Sequence, residues 1–167
     1  MTTERKDTPF EGSDKDLLEA FLDYHRATLL QKTAGLSEHD LRRELTPSGT
    51  SLLGLVKHLA YVERWWFQWI HAGDEVRFPW TDDDPDADFR VEPDETAEQV
   101  FALYQAEIER DRAIASAAEL DAVARRALGG EARPNLRWVL LHLIQETARH
   151  NGHADIVREL IDGTTGE

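Results

Sequence analysis

The chain has no cysteine. That excludes disulfides, thiolate zinc sites and a thiol nucleophile carried by the protein itself. It fits a reducing cytosol, so cytoplasmic residence is the expectation. Basic residues are scarce beside acidic ones: 19 Lys and Arg against 33 Asp and Glu give a formal net charge of −14. Phosphates would be repelled, so neither nucleic acid nor an anionic membrane surface is an expected partner. Long apolar runs are missing as well, and none approaches the roughly 20 residues of a membrane span. The opening stretch MTTERKDTPFEG lacks the apolar core of a secretory signal. There is no Gly-rich phosphate loop, no nucleophile elbow and no HExxH metalloprotease motif. Period-two alternation does not persist beyond a few residues, which leaves an all-α reading.

What the chain does have is helical periodicity. Residues 1–12 read as a flexible arm and 13–167 as one domain. Ser13 is a good N-cap, with Asp14 and Asp16 in the first turn, for a helix running to about Thr33 with Gly35 just past its end. Residues 36–49 read as a connection with a short helical turn. Thr50 or Ser51 caps a second helix that ends near Gly73. A long acidic loop follows over 74–93, and its aromatics Phe78, Trp80 and Phe89 predict that it folds back onto the body. Its run from Asp82 to Asp86 reads as solvated and does not match an EF-hand. Asp94 or Thr96 begins a third helix, which continues to about Ala117. Pro134 and Asn135 open a fourth, which Gly163 ends. Gly152 inside it marks a place for a bend, since Gly costs about 1 kcal/mol against Ala there. The predicted architecture is a four-helix bundle with a long loop between its second and third helices.

The fourth helix carries the chemistry. Its predicted inward row is Val139, Leu143, Glu146, His150, His153, Val157 and Leu160. Both ends are apolar, while the middle is a carboxylate and two imidazoles. Burying an unpaired carboxylate costs several kcal/mol or forces it to protonate, so something must compensate this segment, and a divalent metal is the most economical candidate. The second helix offers the row Leu55, His58, Val62, Trp65, Trp69, in which His58 is the only polar member. Glu146 and His150, four residues apart, are neighbours about 5–6 Å apart at Cβ. If the two helix faces pack together, His58 joins them and all three converge on one point.

The plainer readings are a core histidine at 58 and a solvent-facing pair at Glu146 and His150. Against the second, exposing that pair would also expose Val139, Leu143, Val157 and Leu160. His153 is open between fourth ligand, substrate-facing base and outer partner. His142 reads as structural or exposed and His25 as a core or rim residue, while His39 and His71 read as surface residues. Of Trp65, Trp66 and Trp69, at least one must leave the buried face.

The phrases SLLGLVKHLAYVERWWF and LLHLIQETARHNGHADIVRELIDG resemble the DinB-like superfamily of four-helix bundles over nearly the whole chain. Its usual site is three histidines around a divalent metal. Glu146 replaces one of them here, which resembles the branch containing mycothiol-dependent maleylpyruvate isomerase. The resemblance implies His58, Glu146 and His150 as ligands and a low-molecular-weight thiol such as mycothiol as cosubstrate. It implies a metal-dependent S-transferase or isomerase activity on a small electrophile. Two His and one carboxylate leave a position open, as in catalytic zinc sites; iron, nickel and manganese suit the same set. A thiol entering that position would lose its proton. With no cysteine in the chain, the sulfur must arrive as cosubstrate, and His153 is the candidate catalytic group to accept or relay the proton. Two other classes stand beside this one: a non-catalytic metal-binding bundle, and a metal-assisted hydrolase. Tryptophans on an outer helix face make a homodimer reasonable.

Overall fold

Each long helix begins where a side chain meets its orphan N–H groups. In the computed structural model, which describes residues 4–166, Ser13 and Asp16 form a reciprocal capping box at the start of α1 (Asp14–Thr33). Ser37 caps the single turn α2 (Glu38–Leu41). Ser51 accepts from the Gly54 N–H to open α3 (Leu52–Glu63). Thr96 and Gln99 form the second capping box, at α4 (Ala97–Ser116). Asn135 caps α5 (Leu136–Asp162), and Gly163 ends it at φ 77°, a left-handed conformation that glycine adopts without a Cβ penalty. The expected helical bundle is thus present, its connection 36–49 carrying the expected short turn. No strand occurs among the described residues beyond two isolated bridges, and no helix there is long and apolar enough to cross a membrane. Part of the N-terminal arm lies against α1, with the Arg5 guanidinium 4.8 Å from the Tyr24 ring centre; residues 1–3 fall outside the described range.

α3 does not end at Glu63 but widens into nine residues of π-helix, Arg64–Ala72. Such winding is rare and marks functional or strained places. Neighbouring residues diverge round any helix, and the tryptophans divide accordingly. Trp65 meets Phe78 and Trp80 of the returning loop, at 5.3 and 5.9 Å between ring centres. Trp66 turns instead to Trp138 and His142 of α5. The connection after α4 satisfies the carbonyls at the π-helix end: the Arg125 and Arg126 N–H groups donate to His71 and Ile70. Arg126 also lies 3.7 Å over the Trp69 ring. That covering segment is why His71, expected at the surface, is buried at 7% exposure.

α1 packs chiefly on α5, and α3 on α4; the two pairs join mainly along α3 and α5. The core has two clusters. One is built around Leu52, Leu55, Leu59, Val100 and Tyr104, the other around Leu22, Phe67, Val139 and Leu143. Between them runs a buried polar layer that periodicity did not announce. Arg26 donates two 2.6 Å hydrogen bonds to Glu63, while Gln68 donates to Glu107 and to Asp111.

The α5 row needs one correction of phase. Leu136, Val139, Leu140, Leu143, Thr147, His150, Asn151, Ala154 and Val157 are its buried members, whereas Leu160 is 55% exposed and His153 faces solvent. The buried line drifts round the helix because 3.6 residues per turn does not match alternating steps of three and four. No break occurs at Asn151-Gly152. The Asn151 amide donates to the His25 carbonyl at 3.0 Å, and Gly152 lies in open space on the far side.

Candidate metal centre

Where α3 crosses α5, three potential ligand side chains meet. Nitrogen atoms of His58 and His150 and a carboxylate oxygen of Glu146 all lie within 4.8 Å of one another. The Glu146 Oε1 is 3.1 Å from the His150 Nε2 and 4.0 Å from the His58 Nε2. Ligands about 2.0–2.1 Å from a tetrahedral ion sit about 3.3 Å apart, so sub-ångström side-chain shifts would close this set around one. The His58 Nε2 is buried and has no hydrogen-bond partner. An orphaned buried acceptor aimed at a carboxylate and a second imidazole is the donor chemistry that a divalent cation satisfies.

The protonation states agree with that reading. Burial, then the neighbouring His58, pushes the His150 imidazole down to about 4, leaving it neutral and able to ligate at pH 7. Burial works against the Glu146 carboxylate, but Arg149 and His150 outweigh it and hold the group below its ordinary value. Arg149 contacts the other oxygen of Glu146 directly.

The imidazoles are also gripped from behind. The His58 Nδ1 is 2.8 Å from the Asp88 Oδ2, and the Phe89 ring stacks on His58 with centres 3.8 Å apart. A carboxylate behind a ligating histidine fixes its tautomer and raises its basicity. Asp88 and Phe89 belong to the 74–93 loop, which Lys57 also holds by donating to the Arg90 carbonyl at 2.8 Å and to Glu95 at 2.6 Å. Consecutive residues of α3 thus anchor the loop and face the candidate site.

His153 stands outside the ligand group. Its Nδ1 is 3.3 Å from the Nδ1 of His150, the nitrogen remote from Glu146, so it lies behind that imidazole much as Asp88 lies behind His58. His142 sits one turn from Glu146 and packs against Trp66 and Trp138. His25 is half-buried and His39 is exposed. A cavity of about 760 Å³ lined in part by Leu30, Leu36, Leu41 and Phe101 lies beside α1 and α4 and contains none of these ligands.

Sequence reasoning missed Asp88 and Phe89. Their only signal was the aromatic content of the loop, which predicted its return but not its docking point. It also missed Gly54, where an added Cβ would lie 2.4 Å from the Phe89 carbonyl oxygen. That atom is backbone, so the loop itself would have to move. Gly54→Ala gains about 1 kcal/mol in helix propensity, against about 1–3 kcal/mol for overpacking. We expect metal affinity to fall by about tenfold or more as Asp88 leaves His58. Competition with a chromogenic chelator checks this, and unchanged affinity would uncouple the loop from the site.

Comparison with known proteins follows the same line. A crystal structure of a conserved protein from Enterococcus faecalis superposes with a TM-score of 0.66 at 15% identity, covering 92% of this chain and 100% of that one; at this identity the likeness concerns the fold. Comparison with curated proteins gave no match. The sequence model of mycothiol-S-transferases matches residues 17–163, a span that takes in every helix but the first turn of α1 and all three candidate ligands, and the chain therefore belongs to the mycothiol-S-transferase family.

Proposed function

We propose that this protein transfers a low-molecular-weight thiol, mycothiol by its family, onto a small electrophile, with His58, Glu146 and His150 holding a divalent ion. The observation carrying the proposal is the buried, partnerless His58 Nε2 turned toward Glu146 and His150 in a chain of the mycothiol-S-transferase family. Two nitrogens and one oxygen suit zinc, among other divalent ions, and leave a coordination position free.

A bound ion of this kind favours the thiolate form of a thiol near neutral pH. The chain's own residues do the rest. Asp88 and Phe89 hold the His58 ring in place. Arg149 orients Glu146. Asn151, fixed to the His25 carbonyl, sits in the same turn as His150. His153, exposed to water and hydrogen-bonded to His150, is the assigned proton acceptor at the rim: it takes up the thiol proton by way of solvent and returns it there. The sulfur comes from the cosubstrate, since the chain has no cysteine. Small reduced thiols belong to the cytoplasm, which is where we assign the activity.

The test is consumption of an electrophile such as monobromobimane by zinc-loaded protein, with and without mycothiol. We expect turnover above the uncatalysed rate only when thiol is present, and its loss on chelation with recovery on zinc addition. Turnover without thiol would instead indicate hydrolysis by bound water. Tight metal binding with no turnover of any electrophile would indicate a non-catalytic bundle.

A further inference from the structure

Eight large apolar side chains are exposed among the described residues, and four of them, Trp138, Leu141, Ile156 and Leu160, stand on α5. Single exposed apolar groups are ordinary. These share one side of the helix with Gly152, which lies open: a Cβ added there meets nothing within 4 Å. The C-terminal half of that side is graded in size. Ala148, Gly152, Ile156 and Leu160 follow one another at steps of four, a single ridge of the helix surface with its small members first and its large members last. The charge of this half is also unusual for the chain. Acids outnumber bases 33 to 19 overall, yet the ridge is flanked by one exposed base and one exposed acid, Arg149 and Glu159. Asp155, at its edge, is already paired with Lys32.

We propose that this ridge docks a second copy of the chain, α5 against α5 in antiparallel sense, about a two-fold axis level with Ala154. Residues equally far above and below that level then meet across the seam. Ile156 fills the space over the partner's Gly152, and Leu160 the space over the partner's Ala148. Each contact occurs twice, as a two-fold interface requires. A parallel pairing would set small against small and large against large. Arg149 stands at the same height as the partner's Glu159, so opposite charges face each other where the seam is flanked. A copy carrying a net charge of −14 is repelled by acidic surface; this stretch is near neutral and admits it. Arg149 also contacts Glu146, so the docked partner reaches the surroundings of a candidate ligand. The inference does not depend on the thiol-transfer reading.

The test is the self-association of the full chain, followed by sedimentation velocity at concentrations up to about 100 μM. We expect a dimer. Arg149→Glu or Glu159→Arg alone should weaken it about tenfold or more, and the double exchange should restore most of the loss, since the two charges have only traded places. Gly152→Gln should remain folded, because its side chain enters open space within the subunit and replaces a helical glycine, yet it should weaken the dimer about tenfold by filling the place of the partner's Ile156. Register is read by oxidative cross-linking, for which the chain supplies no competing thiol. The Ala148→Cys/Leu160→Cys protein should form disulfide-linked dimers. Neither single variant should, because identical positions lie about 18 Å apart along the seam. A chain that stays monomeric throughout overturns the proposal. So does a dimer indifferent to the charge variants, a double exchange that restores nothing, or single cysteines that cross-link as readily as the pair.

Discussion

His150→Ala protein is expected to bind no stoichiometric divalent metal and to have lost thiol transfer. His150 supplies one of three donors, and its side chain is 8% exposed, so water does not readily take its place in a set that already has an open position. Elemental analysis of protein purified without a histidine tag reads the first effect, and bimane turnover the second. The comparison variants give the result its meaning. Asp88→Asn keeps an oxygen near the His58 Nδ1 but removes its charge, and we expect about 10–100-fold weaker metal binding, the usual scale for a residue behind a ligand. His153→Ala should still bind metal stoichiometrically, because all three donors remain, though more weakly, since His153 contacts the far nitrogen of His150 as Asp88 contacts that of His58; it should lose activity. Equal metal loss in His150→Ala and His153→Ala would mean that the ligand assignment is wrong.

Glu63→Gln is expected to cost about 3–5 kcal/mol of stability, the scale of a broken buried ion pair. Glu63 is 1% exposed and Arg26 4%. The substitution is nearly isosteric, so no cavity complicates the comparison. Burial disfavours the guanidinium charge, but Glu63 more than offsets this and raises the Arg26 pKa; arginine does not escape by losing its proton. Removing the carboxylate therefore leaves the buried guanidinium between α1 and α3 with only its 2.9 Å pair to the more exposed Asp23. Natural domains have only about 5–15 kcal/mol in total, so urea denaturation should show a large fall in midpoint. Arg26→Met/Glu63→Leu should recover most of the loss, since an apolar pair of similar volume often matches a buried ion pair. A Glu63→Gln protein as stable as wild type would remove this layer from the account of the fold.

Asp111 gives the same layer a pH signature. Burial and then the adjacent Glu63 push its carboxyl well above the ordinary carboxylate range. The unfolded chain loses that proton near the ordinary value, whereas the folded chain keeps it. Stability from this group is therefore complete at low pH and declines as pH rises from the unfolded value toward the raised one. Asp111→Asn carries no such proton, so it should gain on wild type across that interval as pH increases.

The bundle and its ligand trio were legible because they obey helical arithmetic. Ser13, Ser51, Thr96 and Asn135 announce helix starts through local hydrogen bonding, and Glu146 and His150 announce themselves by interrupting an apolar row. His153 and Leu160 were read as buried because a fixed alternation of steps was carried too far along a helix that turns every 3.6 residues. Arg26, Glu63, Gln68, Glu107 and Asp111 were not legible, since each looks like a surface residue until its partner on another helix is known. The same holds for Asp88, one acid among several in an acidic loop. Its role depends on where the loop docks, which Gly54 and Lys57 decide from about 30 positions away.

The arrangement of helices in two pairs has a mechanical consequence. His58 belongs to one pair, and Glu146 and His150 to the other. An ion held by all three would rivet the halves together across about 90 residues of intervening sequence, where loop-closure arguments give a cross-link roughly 4–5 kcal/mol of leverage on the unfolded chain. A protein without cystine would thereby possess a detachable staple, fastened or released by metal supply rather than by oxidation.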